Sequence, residues 1–308
     1  MGIRKKIFYI TAAVMLSVLL VSYGVMYLYF YHVMFEETVI RQRASVELNR
    51  QTDMLPVFAL LPEEEKKADY FLTFLADELS VEKTDILDFE LTVYCKENPE
   101  FIGLNDDFIS SPRLDNLTSC AALISGLMDA RRMEGINLIA LFDHEEIGSH
   151  TKQGAGSILL HDMLRRILKE LGREQTAEQD LYRSMLLSVD VAHAMHPNQN
   201  QKADVTNQPV LNRGFCIKES GNQSYATDCE VVAIVEQICK KEMIAYQKYV
   251  NRSDIAGGST LGAIAGSLMP VQTVDIGVPI LAMHSARELM GADDMAALSR
   301  FVGSYFSI

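Results

Sequence analysis

Acidic side chains and imidazoles follow short apolar runs at several separate points in this sequence. INLIALF, residues 136–142, is followed by Asp143, His144, Glu145 and Glu146 and then Gly148. MLLSV, residues 185–189, is followed by Asp190 and, three residues on, His193; ILAM, residues 280–283, is followed by His284. A further acid, Asp115, sits in SPRLDN just ahead of a helical pattern. Carboxylate oxygens and imidazole nitrogens are ligands for divalent cations, and a two-metal hydrolytic site needs three or four of them per ion with one carboxylate bridging. A second Glu beside a ligand Glu can stay unbound and accept a proton from water. Each residue also has an ordinary reading. Asp-His-Glu-Glu reads as a solvated loop, Asp115 as a helix cap, His193 as a loop histidine, His284 as a half-buried helix start and Gly257-Gly258-Ser259 as a turn. What sets them apart is their shared position at the ends of predicted strands.

The elements that would place them alternate in type. Leu61–Ser80 carries Phe71, Phe74, Leu75 and Leu79 at helical spacing behind the acidic turn Glu63–Glu65, which predicts a helix. Phe89–Tyr94 alternates like a strand, Asn116–Arg131 reads as a helix, and Ile136–Phe142 has the length and apolarity of a buried strand. A helix over 155–172, a strand over 185–191, a helix over 228–249, apolar runs at 271–275 and 279–283, and a terminal helix after Asp293 complete the pattern. Strands alternating with helices predict an α/β core around a largely parallel sheet, with chemistry gathered along one edge of it.

The 308 residues hold 28 Lys and Arg against 41 Asp and Glu, a formal charge of −13. A surface so short of clustered cations does not fit nucleic-acid binding. Hydrophobic residues at 48% and charged residues at 22% exclude a wholly disordered, collagen-like or disulfide-scaffold chain. Cys95, Cys120, Cys216, Cys229 and Cys239 are odd in number and show no CxxC spacing, so they read as reduced structural thiols.

The amino terminus points elsewhere. Ile7–Phe35, 29 residues without Asp, Glu, Lys or Arg, follows Arg4-Lys5-Lys6 and precedes Glu36-Glu37. That length crosses a bilayer as a helix, and the flanking charges place the start in the cytoplasm and the remainder outside. Tyr27, Tyr29, Phe30 and Tyr31 crowd the end where a cleaved signal peptide would carry small residues.

SPRLDNLTSC, LFDHEEIGS, SVDVAHAMHPN, IKESGNQSYATD, NRSDIAGGSTLG and TVDIGVPILAMHSARE occur in that order. Together they resemble the carboxyl-terminal catalytic part of the aspartyl aminopeptidase family, from about Val46 to the end, some 85% of the sequence. The resemblance implies a partial aminopeptidase-type α/β sandwich and a pair of zinc ions, acting on peptides with an acidic amino-terminal residue. It implies that Asp115 bridges the two metals, Glu145 is the general base, Glu146 and His284 bind one metal and Asp190 the other. Lys218 and Tyr225 match positions near the substrate, as do Gly258 and Ser259. The resemblance also implies cytoplasmic location and a large homo-oligomer built from dimers.

The departures from the family pattern are specific. No HTDSP-like motif supplies the usual zinc-binding His; the histidine before His144 is His32, inside the apolar segment. One metal therefore keeps only Asp115 and Asp190, while the other keeps Asp115, Glu146 and His284. Gln223-Ser224-Tyr225 replaces the more usual Gln-Arg-Tyr. The expected organisation is a membrane-like helix and junction over 1–45, a remnant of an inserted dimerisation domain over 46–104 and an incomplete zinc peptidase domain over 105–308. On this reading the sequence is a truncated or fused product in which normal oligomerisation is doubtful. The alternative to an impaired aminopeptidase is an inactive, membrane-tethered remnant. Location stays open between cytoplasm and membrane.

Overall fold

A computed structural model describes residues 49, 51–61, 67–255 and 257–308, and the chain divides into two units after Leu91. In the first unit, helix α1 (Lys67–Leu79) carries Phe71 and Phe74 three residues apart, which puts both rings on one side. Phe58 meets the two rings edge-on with centroids 5.3 and 4.9 Å away, and Phe89 lies 5.7 Å from Phe71. The alternation of Phe89–Tyr94 does not make a strand. A strand needs a neighbour for its peptide groups, and no described residue pairs with this run, so Phe89 joins the aromatic cluster instead.

The second unit runs β1 (Glu100–Ile102), β2 (Phe108–Ser111), α2 (Leu114–Asp129), α3 (Leu159–Glu170), α4 (Ala177–Tyr182), β3 (Met185–Val189), β4 (Ala192–His193) and β5 (Phe215–Glu219). It continues α5 (Cys229–Glu242), β6 (Tyr246–Val250), α6 (Leu261–Leu268), β7 (Gln272–Gly277), β8 (Pro279–Leu281), β9 (Glu288–Gly291) and α7 (Ala292–Tyr305). Glu100–Ile102, assigned by sequence to the 46–104 segment, pairs with β2 and so belongs to this unit's sheet.

Two sheets replace the single parallel one expected. One has the order β1-β2-β9-β8-β4 and the other β3-β7-β5-β6. Of the seven ladders, β3–β7, β4–β8 and β5–β6 are parallel and the other four antiparallel. β1, β2 and β9 carry no strand signal of their own because they are short and only partly apolar. β6 lay hidden inside the predicted 228–249 helix: α5 stops at Met243, whose φ of 52° is left-handed, and Tyr246–Val250 then pairs with β5.

Ile136–Phe142, the strand expected from its apolarity, carries no ladder. Ile139 packs against the core, and the run borders an apolar cavity of about 190 Å³ with β3 on another wall. Hydrophobicity calls for burial, yet the run is only partly covered: Ile136 is 49% and Leu141 51% exposed, and the residues between them are half-buried. β3 is the edge strand of its sheet and lines the same cavity, but no ladder joins the run to it.

The core is built on β7, whose residues from Thr273 to Gly277 are all buried because the sheet covers both its edges. Val274 and Ile276 alternate into a cluster with Phe215, Ile217, Val231 and Val235, and Phe215 stacks on Phe301 of α7 at 4.8 Å. The five cysteines are free. Among the described residues no helix is long and apolar enough to cross a membrane; the span predicted over residues 7–35 lies outside the described residues.

The two sheets are joined where strands continue from one into the other. β3 leads through Asp190 into β4, and β7 leads through Val278 into β8, with Asp190 N donating to Ile276 O at 2.9 Å and Ala192 N to Val278 O at 2.8 Å. At that crossing Gly277 presses against the Asp190 backbone, and a Cβ there would lie 1.6 Å from Asp190 O. Gly277→Ala should therefore destabilise the second unit by roughly 2 kcal/mol or more, read as a lower urea midpoint. An unchanged midpoint would show that the junction has room to give.

Candidate metal centre

Asp115 sits where α2 breaks its own helical geometry: Asp115 (φ −77°, ψ 109°) and Asn116 (φ −120°, ψ 30°) depart from it. The Asn116 side chain donates to Val189 O at 2.9 Å, tying the start of α2 to the end of β3. Glu146 comes from the loop after residues 136–142. His284 follows β8 in a turn where its φ is +65°. His284 Nε2 stands 3.2 Å from Asp115 Oδ2 and 3.3 Å from Glu146 Oε2, and one ligand atom from each of the three lies within 4.8 Å of the others.

Those spacings fit a zinc ion. Tetrahedral bonds of about 2.0–2.1 Å to oxygen and nitrogen place neighbouring donors about 3.3 Å apart. Asp115 is 9% exposed, whereas Glu146 and His284 are 59% and 62% exposed, so the triangle has one anchored corner and an open side. Burial, and then the charges of Asp190, Glu146 and Glu288, push the Asp115 carboxyl up to about 7, against the pull of His284. A carboxylate held among carboxylates is relieved by a cation.

Sequence reasoning missed Glu288 at the start of β9. It is 2% exposed; its Oε2 accepts from Asp115 N at 2.9 Å and its Oε1 from His284 N at 2.7 Å. One buried carboxylate thus fixes the backbones of two corners of the triangle. The only signal was an acid opening an otherwise apolar ELMG run, and only β9 lying beside both β2 and β8 gives it meaning.

Asp190 is not a corner of that triangle, but its charge raises both Asp115 and Glu145. Glu145 is raised first by burial and then by Asp190 and Glu146, with Lys218 and His284 opposing. A second cation would find Asp115 and Asp190 among the described residues. These residues do not share one sheet edge: Asp190 leaves the β3 sheet, His284 follows a strand of the other, and Asp115 belongs to α2. They meet because the strands cross between sheets at this point.

Lys218, which the resemblance puts near the substrate, is 1% exposed. Its Nζ donates to Val191 O at 3.1 Å, stands 3.5 Å from Asp190 Oδ2 and lies 5.1 Å from the centre of the Tyr225 ring. Tyr225 is buried, and its hydroxyl accepts from Asn251 Nδ2 at 2.9 Å. A cavity of about 530 Å³ is lined by His193, His196, Lys202, Tyr225, Arg252 and Gly258, and reaches Ala282 and Met283 just before His284. Ser259 is not part of that lining; its hydroxyl donates to Ser224 O at 3.3 Å.

Because Glu288 holds two ligand-bearing backbones, Glu288→Gln should weaken zinc binding by about tenfold or more, measured by competition with a chromophoric chelator. Wild-type affinity in that variant would remove Glu288 from this role.

A family model described as aminopeptidase I zinc metalloprotease (M18) matches residues 38–306. The chain is 43% identical over 251 residues to a probable M18 family aminopeptidase 2 of Clostridium novyi, covering 81% of this chain and 58% of that protein. It is 41% identical over 264 residues to a protein of the same description from Stutzerimonas stutzeri, covering 84% and 60%. Among solved structures it is similar to a chain in a cryo-EM structure of the Ape4 and Nbr1 complex, with a TM-score of 0.76 at 33% identity, over 85% of this chain and 54% of that one. It also matches a Saccharomyces cerevisiae mApe1 dodecamer, with a TM-score of 0.67 at 26% identity, over 84% and 61%. An M18 aminopeptidase of Thermotoga maritima shares the fold, with a TM-score of 0.72 at 22% identity, over 81% and 58%. The chain spans 58% and 60% of the length of the two curated relatives. By the matched span and by these identities, the chain belongs to the M18 family of zinc metallopeptidases.

Proposed function

We propose that this chain is a zinc-dependent aminopeptidase that removes amino-terminal residues from peptides, preferentially Asp or Glu. The observation that carries the reading is the Asp115–Glu146–His284 triangle, whose 3.2 and 3.3 Å separations suit one zinc ion, beside an unbound Glu145. On this reading Asp115, Glu146 and His284 hold one ion, and Asp115 with Asp190 faces a second. Zinc bound there would lower the pKa of water and polarise the scissile carbonyl.

The remaining work falls to the chain's own side chains. Glu145 takes a proton from water and returns it to the leaving amine. Its carboxyl is raised by burial and by neighbouring Asp190 and Glu146, and such a shift brings a base closer to neutral working pH. The acidic preference is supported by the cavity beside His284, whose lining carries Lys202 and Arg252, the latter paired with Asp254, against the single acid Asp204. Lys218 is too enclosed to reach into that cavity, so its part is played through Asp190 and Tyr225. Gly258 contributes wall to the cavity.

The test is made on the full chain, with zinc content measured beside release of amino-terminal Asp or Glu from short peptides. We expect turnover that chelation removes and zinc restores. Glu145→Gln should lower kcat by about 10² to 10⁴ while zinc content holds. Full activity in that variant would remove Glu145 from the role of base. A wild-type chain that binds zinc without turnover would favour the inactive alternative.

A further inference from the structure

Asp275 lies in the middle of β7, is fully buried and has no part in the reading so far. In the parallel β3–β7 ladder it stands opposite Ser188, two residues before Asp190, and in the antiparallel β5–β7 ladder it stands opposite Lys218. Residues directly opposite each other project from the same side of a sheet. A buried acid and a buried lysine therefore leave the same face of the sheet from paired positions, near enough for their charges to act on each other though not in direct ion-pair contact.

Three further contacts fasten this acid to the residues around Asp190. Its Oδ2 accepts from Ala226 N at 2.7 Å, in the loop carrying Tyr225. Its own backbone N–H donates to Thr227 Oγ1 at 3.2 Å, and that hydroxyl donates to Lys218 O at 2.5 Å. The start of α6 leaves space for the carboxylate: a Cβ on Gly262 would stand 2.8 Å from Asp275 Oδ2. Burial pushes the Asp275 carboxyl above its ordinary range, while Lys218, the nearby Ser188 and Thr260 hydroxyls and the Ala226 N–H pull it back toward the charged form.

Charge supplies the reason for the arrangement. The acids acting on the Lys218 ammonium are Asp190 and Asp275. When Asp190 turns its charge to a cation, Asp275 is the acid left for Lys218. A buried ammonium stripped of its counter-charge is strongly destabilising, so without Asp275 the cation and Lys218 would compete for Asp190. We propose that Asp275 is a positioning residue of the metal centre, keeping Lys218 compensated so that Asp190 is free to face the cation. The inference rests on the proposed function for its metal, and on the β5–β7 pairing for its geometry.

The experiment is a double-variant cycle on the full chain with Asp275→Asn, Lys218→Met and both together. Each protein is titrated with zinc against a chromophoric chelator, and its metal-free melting temperature is recorded. Asp275→Asn should weaken zinc binding at least tenfold and lower the melting temperature. In the Lys218→Met background the same substitution should change zinc affinity less than threefold and restore part of the lost melting temperature. A purely structural role would not respond to the lysine. Asp275 is excluded from this role if Asp275→Asn binds zinc like the wild type, or if it weakens zinc equally with Lys218 removed. Should Asp275→Asn fail to fold, the double variant compared with Lys218→Met decides: equal affinities support the proposal and a weaker double variant overturns it. A wild-type chain that binds no zinc would sink the proposed function and the metal-positioning claim together. The metal-free melts still show separately whether Asp275 and Lys218 are coupled.

Discussion

Negative charge gathered around one half-enclosed carboxylate is the constraint on which this molecule turns. Asp115 has Asp190, Glu146 and Glu288 around it, with the His284 imidazole 3.2 Å away. Such a group either holds its proton or receives a cation. Other features of the site follow from managing that charge. Glu288 spends its two oxygens on backbone N–H groups of Asp115 and His284, Lys218 lies against Asp190, and Asp275 stands opposite Lys218 in the sheet. Charge alternates from the metal triangle into the centre of the sheet, from Asp190 to Lys218 to Asp275.

The backbone is shaped to allow it. Strands crossing between sheets bring Asp190 within reach of Asp115, and Gly277 makes the crossing close enough. α2 abandons helical geometry at Asp115 and Asn116, and the turn at His284 adopts a left-handed φ. Backbone departures of this kind persist where the surrounding structure over-determines them, and here Glu288 and the Asn116–Val189 contact do so.

The helices were largely legible. Asn116–Arg131 and 155–172 fall close to α2 and α3, since one apolar face repeating at helical period is written locally. Buried strands such as β3 and β7 were legible for the same reason. β6 was absorbed into a helix and β1, β2, β5 and β9 escaped notice, because what makes a short, half-polar run a strand is its neighbour. The reverse error occurred at Ile136–Phe142, where an apolar run found partial cover and no ladder.

Residue type and order alone determined which side chains could bind a cation: Asp115, Glu146, Asp190 and His284, with Glu145 spare beside them, each set after or before a recognisable element. Tertiary structure decided that three of them close into a triangle, that Lys218 faces inward, and that Glu288 and Asp275 matter. The physical reason is range. Side-chain chemistry and periodicity belong to neighbouring residues, whereas a buried charge takes its meaning from groups that are distant in sequence, as Glu288 and Asp115 are at 173 positions apart.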